Sequence, residues 1–292
     1  MKDVEKPAVA VCGLGTMGAG MAGRLLSAGY PTTVYNRTRK KVTALAAAGA
    51  TVAASPKLAA MNADIVISMV ADDEASRRIW LGGDGVLSGV KPGTLLIESS
   101  TLTVAWIKEL AAAAQERDCA FVDAPVTGSK PQAAAGELLF LAGGPRSAVE
   151  KARPLLSAMG RGVVYAGDTG SGALLKLVNN FLCAVQTASM AEALAWIEKT
   201  GINVDQAVKV LGEGAPGSPI IRRTAARTAQ NNFTPDFSLR LMIKDLTYAI
   251  REGSQSGVEL RTAAAALQRF REAEQQGLGE DDFAAVTVPI RK

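Results

Sequence analysis

Three groups of residues in this chain have the types and spacing to do chemistry. The first is Gly13-Leu14-Gly15-Thr16-Met17-Gly18, set between an apolar strand-like run, Val9-Ala10-Val11-Cys12, and a helical pattern with Met17, Met21 and Leu25 on one face. Free backbone N–H groups at a helix start can hold a pyrophosphate, and glycine lets the backbone come close enough. A second strand-like run, Thr32 to Tyr35, follows, which is the context this motif requires. That run ends in Asn36-Arg37-Thr38. A carboxylate there would accept from the ribose 2′-hydroxyl of NAD. A cation with polar neighbours suits a 2′-phosphate instead, so the expected cofactor is NADP(H).

The second group is Lys176 and Asn180, four residues apart and so on one helical face. Lys176 is the one cation between Ala173 and Ile197, with Leu174, Leu175, Leu177 and Phe181 around it in sequence. Such a lysine either snorkels to water or is held in a cleft where it can transfer a proton. The third group is the loop Asp123 to Pro131. Its Thr127, Gly128 and Ser129 could form a nest for a carboxylate, or could be an ordinary polar loop. Ser99-Ser100-Thr101 follows a strand-like run, either at a ligand-binding strand edge or capping the next helix.

The chain has no histidine. This excludes imidazole bases, Ser-His-Asp triads and histidine-bound metals, and leaves Lys, Tyr, Asp, Glu or Cys as proton donors. Three scattered cysteines, Cys12, Cys119 and Cys183, lack zinc or disulfide spacing and are expected to be buried and reduced in the cytoplasm. No metal is expected. A net charge of +4 without a basic block suggests neither nucleic acid nor a membrane surface as partner. The opening Met-Lys-Asp-Val-Glu-Lys-Pro has no apolar leader, and no run is long enough to span a bilayer.

To position these groups, strand and helix alternate through the first half. Strand-like runs are Ala8–Cys12, Thr32–Tyr35, Asp64–Met69, Thr94–Glu98, Ala120–Asp123, Leu138–Ala142 and Val163–Tyr165. Helical runs include Arg39–Ala48, Thr103–Arg117 and Arg146–Ala158. Alternation of this kind predicts βαβ units and a mostly parallel sheet. After Gly170-Ser171-Gly172, one helix is predicted from Ala173 to Thr200, and further helical runs follow to Ala273. The expected fold class is therefore α/β: an N-terminal Rossmann-type doubly wound sheet (residues 1–169), then an all-α C-terminal domain (residues 170–292), joined by a long helix.

Four ordered motifs make the chain resemble the β-hydroxyacid dehydrogenase family. They are Gly13-Leu-Gly-Thr-Met-Gly18, Asp123-Ala-Pro-Val-Thr-Gly128, Gly172-x-x-x-Lys176-x-x-x-Asn180 and Lys244-Asp245-Leu246. Ser129-Lys130 and the segment from Phe237 to Leu246 resemble the glyoxylate and succinic semialdehyde reductase branch. Two positions depart from the family pattern: Thr127 stands where serine is usual and Glu98 where aspartate is usual.

The resemblance implies hydride transfer between NADPH and a short aldehyde acid or hydroxy acid. Lys176 would be the general acid or base, Asn180 would orient it, and Thr127 would act beside them. Thr127, Gly128, Ser129, Phe237 and Asp245 would hold the substrate. Val70, Thr101 and Lys244 would join the glycine turn and Asn36, Arg37 and Thr38 in holding the cofactor. The helical domain is alanine-rich, and because such surfaces often pack in pairs a homodimer or homotetramer is expected. Imine reduction on the same fold, and a non-catalytic nucleotide-binding module, are the competing readings. Lys176 speaks against the first, where relatives replace the catalytic lysine by aspartate or tyrosine, and Lys176, Asn180 and Thr101 together speak against the second.

Overall fold

The computed structural model describes residues 6–291, so most of the N-terminal stretch read above for a leader, residues 1–5, lies outside it. The chain divides into two compact units between Lys176 and Leu177. In the first unit six strands run parallel. They are β1 (Val9–Cys12), β2 (Thr32–Tyr35), β3 (Thr51–Val52), β4 (Ile65–Ser68), β5 (Leu95–Glu98) and β6 (Ala120–Asp123), in the order β3-β2-β1-β4-β5-β6. The order reverses between β1 and β4, and the crevice beyond their C-terminal ends is where open α/β sheets take ligands.

The strands are apolar on both faces because helices cover both. On one face Val9, Val11, Ile65, Ile67, Leu95 and Ile97 pack with helices α1 (Thr16–Ser27) and α7 (Arg146–Met159). On the other face Ala10, Val66 and Leu96 meet Trp80 and Trp106, which come from α4 (Asp73–Leu81) and α5 (Val104–Gln115). This second face changes character at its C-terminal edge. Cys12, Ser68, Glu98 and Asp123 stand side by side in register there, all fully buried.

The strands expected over Leu138–Ala142 and Val163–Tyr165 are present, while several short elements were not expected from the sequence. β7 (Val126–Thr127), β8 (Leu138–Gly143) and β9 (Gly160–Gly167) extend the sheet, with β8 antiparallel to β6 and β7 and parallel to β9. The loop expected over 123–131 thus contains β7 and the start of α6 (Lys130–Ala135). The helical run expected over Arg39–Ala48 is a 3₁₀ turn, Arg39–Val42, followed by α2 (Thr43–Ala47), whereas the unexpected α3 (Pro56–Ala60) spans five residues, too few to show a periodic apolar face. α4 is mostly polar, yet its start is signalled by Asp72, which accepts from the Ala75 N–H, and by Asp73 and Glu74 in the first turn.

The second unit is helical, and among the described residues it holds no strand beyond a single bridge between Ser238 and Asp282. The long helix α8 (Ser171–Thr200) ends at Gly201, whose φ of +74° is the left-handed turn that stops helices. Ala184, Ala188 and Ala191 on α8 let α11 (Leu239–Gln255) and α12 (Arg261–Ala273) approach closely through Leu239, Met242, Leu246, Ala266 and Phe270. Helices α9 (Val204–Glu213) and α10 (Pro219–Ala229) complete the unit, with Ile221 and Ala225 against Met190 and Leu194.

The start of α8 is fixed in the first unit by Asp123. Its Oδ1 accepts from the Gly170 N–H at 2.8 Å and its Oδ2 from the Ala173 N–H at 2.8 Å. A Cβ on Gly172 would fall 2.2 Å from the Leu141 carbonyl oxygen, so only glycine fits this junction. Burial pushes the Asp123 carboxyl up from the usual 3.8 to about 6, against the downward pull of the backbone N–H groups. Its folded value is raised, so the stability it contributes is present below pH ~4 and lost as pH rises through ~6. Over that window wild type is expected to gain stability on Asp123→Asn as pH falls, by roughly 3 kcal/mol at about 1.4 kcal/mol per pH unit. Denaturant unfolding of both proteins at pH 7 and pH 5 samples the upper part of this window and should show about 1.4 kcal/mol of it, and parallel curves would contradict it.

Candidate active site

The glycine turn divides its labour among three positions. Gly13 has a φ of +99°, and a Cβ there would lie 2.3 Å from the Met69 carbonyl oxygen and 2.9 Å from Val70 Cγ1. A Cβ on Gly18 would lie 2.0 Å from the Gly13 carbonyl oxygen. These two glycines let the turn fold on itself and against the segment after β4. Gly15 differs, because nothing lies within 4 Å of where its Cβ would be. Gly15 is also the N-cap of α1, which has no side-chain cap and no acidic residue in its first turn. Its first-turn N–H groups, at Thr16 and Met17, therefore face open space with the positive end of the helix dipole behind them. This cradle fits a dinucleotide pyrophosphate.

Leu14 and Asn36 are tied to each other. The Leu14 N–H donates to Asn36 Oδ1 at 2.9 Å, and Asn36 Nδ2 donates to the Thr38 carbonyl at 2.9 Å. Both ends of the Asn36 amide are thus used to tie the end of β2 to the glycine turn. That leaves Arg37 and Thr38, both exposed, at the strand end. Arg39, Lys40 and Lys41 follow in a short 3₁₀ turn and are exposed as well. These three cations were overlooked in the sequence, although their run without a carboxylate was visible there.

Val70 is half-buried beside Gly13, and its N–H donates to Ser100 Oγ at 2.8 Å. Thr101 is half-buried just past β5. Thr127 lies in β7 opposite Leu139, and its hydroxyl has no hydrogen bond to protein among the described residues. Gly128 is exposed, with a φ of +114°. The N–H and the hydroxyl of Ser129 both donate to Gln132 Oε1, at 2.9 and 2.8 Å, closing the first turn of α6.

Lys176 is buried, two turns into α8. It shares the helix's inner face with Ala173, Leu177 and Asn180, all buried. Leu174 and Leu175 do not surround it, since both are about two-fifths exposed on the opposite face. Burial first, and then the nearby Glu98, push the Cys12 thiol up to about 12, so it stays protonated. Cys119 is also buried, but Cys183 is only half-buried, contrary to expectation.

In the helical unit, Asn180, Asp245 and Lys244 come together. Asn180 Nδ2 donates to Asp245 Oδ2 at 2.5 Å, and Asn180 Oδ1 accepts from Asn179 Nδ2 at 2.9 Å. Lys244 Nζ pairs with Asp245 Oδ1 at 2.8 Å and lies over the Tyr248 ring. The Asn180 amide is therefore anchored by its neighbours at both ends. Phe237 lies edge-on to Phe283, with ring centres 5.9 Å apart.

Comparison with known proteins agrees with this geometry. Residues 8–167 match the NAD-binding domain of 6-phosphogluconate dehydrogenase, and residues 170–290 match the NAD-binding family of NADP-dependent 3-hydroxyisobutyrate dehydrogenase. The NAD-dependent L-serine dehydrogenase of Pseudomonas aeruginosa is 37% identical, over 95% of this chain and 96% of its own. The chloroplastic glyoxylate/succinic semialdehyde reductase 2 of Arabidopsis thaliana is 32% identical, over 96% of this chain and 78% of its own. A solved structure of Mycobacterium tuberculosis 3-hydroxyisobutyrate dehydrogenase with L-serine superposes with a TM-score of 0.90 at 31% identity, covering 98% of this chain and all of that one. None of the described helices is long and apolar enough to cross a membrane. With an NAD(P)-binding fold matched along nearly its whole length, the chain belongs to the β-hydroxyacid dehydrogenase family of oxidoreductases.

Proposed function

We propose that the chain is an NADPH-dependent reductase of short, carboxylate-bearing aldehydes such as succinic semialdehyde or glyoxylate. The observation that carries this reading is Lys176, a buried cation one turn from Asn180 on the inner face of α8. NADPH, when bound at the glycine turn, supplies the hydride. As negative charge gathers on the substrate carbonyl oxygen, Lys176 Nζ donates a hydrogen bond to it and then the proton. In the oxidative direction the same amine accepts the proton. The Thr127 hydroxyl and the Gly128 backbone receive the far carboxylate. Asn180, held by Asp245 and Asn179, keeps its turn of α8 rigid beside Lys176.

NADPH is favoured by the exposed cations Arg37, Arg39, Lys40 and Lys41, in a segment without a carboxylate from Asn36 to Lys41. We assign residues 1–169 to cofactor binding. Residues 170–292 are assigned to substrate recognition and to self-association as a homodimer or homotetramer in the cytoplasm. The large apolar residues exposed along α8, among them Leu182 at 48% and Trp196 at 74%, support the self-association.

Three measurements test the reading. The ratio of kcat/KM for NADPH to that for NADH should exceed tenfold, since a charge-assisted pair with the 2′-phosphate contributes roughly 1.5–3 kcal/mol. Parity, or a preference for NADH, contradicts the cofactor assignment. Lys176→Ala should lower kcat by roughly 10²–10⁴ while the NADPH dissociation constant stays near wild type. A variant that keeps a tenth of wild-type kcat removes Lys176 as proton donor. Succinic semialdehyde should be reduced far more efficiently than butanal, by several kcal/mol in transition-state binding on the order expected for an unpaired buried site. Equal turnover of the neutral aldehyde, or turnover of cyclic imines alone, contradicts the substrate class.

A further inference from the structure

A carboxylate at the heart of the first unit has no part in the chemistry above. Glu98 ends β5 and is fully buried, and among the described residues no cation pairs with it. Four hydrogen bonds reach it. Oε1 accepts from the Ser100 N–H at 2.9 Å and from the Ser100 hydroxyl at 2.6 Å. Oε2 accepts from the Ser76 hydroxyl at 2.6 Å and from Trp80 Nε1 at 2.7 Å.

The direction of these bonds is set by the next shell. Ser100 Oγ accepts from the Val70 N–H at 2.8 Å, and Ser76 Oγ accepts from Trp106 Nε1 at 2.9 Å. A backbone N–H and an indole N–H can only donate. Each serine oxygen therefore takes a proton from outside and turns its own proton toward Glu98. The carboxylate receives four donors, the number its two oxygens can accept when ionised. Burial pushes its carboxyl up, while the bonds from Ser100, Ser76 and Trp80 pull it down.

Two arms leave this centre. One, through Ser76 and Trp80, runs into α4 and the core. The other, through Ser100, holds the Val70 backbone, and Val70 Cγ1 lies 2.9 Å from the place a Cβ on Gly13 would take. The segment after β5 is pinned again at Thr103, whose N–H and hydroxyl donate to the Asp73 carboxylate at 3.0 and 2.7 Å. Thr101 lies between these two fixings.

We propose that Glu98 is a positioning residue for the dinucleotide site: through Ser100 it fixes the Val70 and Thr101 segments that wall the crevice beside the Gly13–Gly18 turn. The proposal rests on the reading that these segments border the cofactor. It does not depend on the substrate. If Glu98 acts only as core structure, losing it lowers stability and leaves the affinity of the folded protein for cofactor unchanged. If it positions the wall, affinity falls as well.

The test is calorimetric titration of NADPH, without substrate, into the full-length chain and four variants whose folding is checked by circular dichroism and melting temperature. Ser100→Ala and Glu98→Gln should each weaken binding about tenfold, the scale of one buried hydrogen bond. The double variant should be no weaker than the worse single, because the two act in one chain of bonds. Trp80→Phe, which cuts only the α4 arm, should lower the melting temperature yet bind NADPH within about twofold of wild type, inside the usual error of additivity. Should Glu98→Gln fail to fold, Ser100→Ala against Trp80→Phe still decides the matter. Wild-type affinity in folded Ser100→Ala, or fully additive losses in the double variant, overturns the positioning role alone. No NADPH binding by wild type overturns the cofactor reading and the positioning role together.

Discussion

Withdrawing a carboxylate from water is costly unless donors meet it, and the C-terminal edge of this sheet is organised around two such groups. Glu98 and Asp123 end adjacent strands in register, and both are fully buried. Each recruits backbone and side-chain donors from segments that would otherwise be loose. Glu98 gathers the turns after β4 and β5 together with α4. Asp123 gathers the first N–H groups of α8, where the helix dipole adds its own attraction for a negative charge. The polar cost of burial is thereby turned into the placement of the turns after β4 and β5 and of the start of α8.

Lys176 follows from the second of these carboxylates. It lies three residues beyond Ala173, so the Asp123 bond to the Ala173 N–H fixes the helical turn just before it. The glycine turn follows from close backbone approach. Gly13 and Gly18 have no room for a side chain, whereas Gly15 has open space, which separates glycines kept for the fold from the one that admits a ligand. Asn36 locks the two adjacent strand ends together, and exposed cations follow it.

Much of this was legible in the sequence. Apolar strands bounded by turn residues gave the parallel sheet, and the run from Ala173 to Thr200 without glycine or proline gave α8 almost to its ends. The glycine spacing and the single cation early in α8 located the candidate site. What escaped was short or non-local. β3 is two exposed residues with no apolar alternation, and β7 is two residues inside what reads as a polar loop. The antiparallel placement of β8 depends on pairing that no local pattern encodes. Side-chain partners escaped for the same reason. That Gln132 folds back on Ser129 is visible only in the structure. So is the use of both ends of the Asn36 amide by Leu14 and Thr38. Glu98 reads as a family departure, and only the structure supplies Ser76, Trp80 and Ser100 around it.

The central claim is that the chain moves a hydride from a reduced nicotinamide to the carbonyl carbon of a short aldehyde acid while Lys176 protonates the oxygen. Turnover of succinic semialdehyde with NADPH deuterated at C4 on the transferred face, followed by mass spectrometry of the product, tests it most directly. The account predicts a hydroxy acid carrying one deuterium on its carbinol carbon with wild-type protein, and almost none formed by Lys176→Ala in the same time. Reduction without label transfer, or undiminished labelled product from the variant, would contradict it.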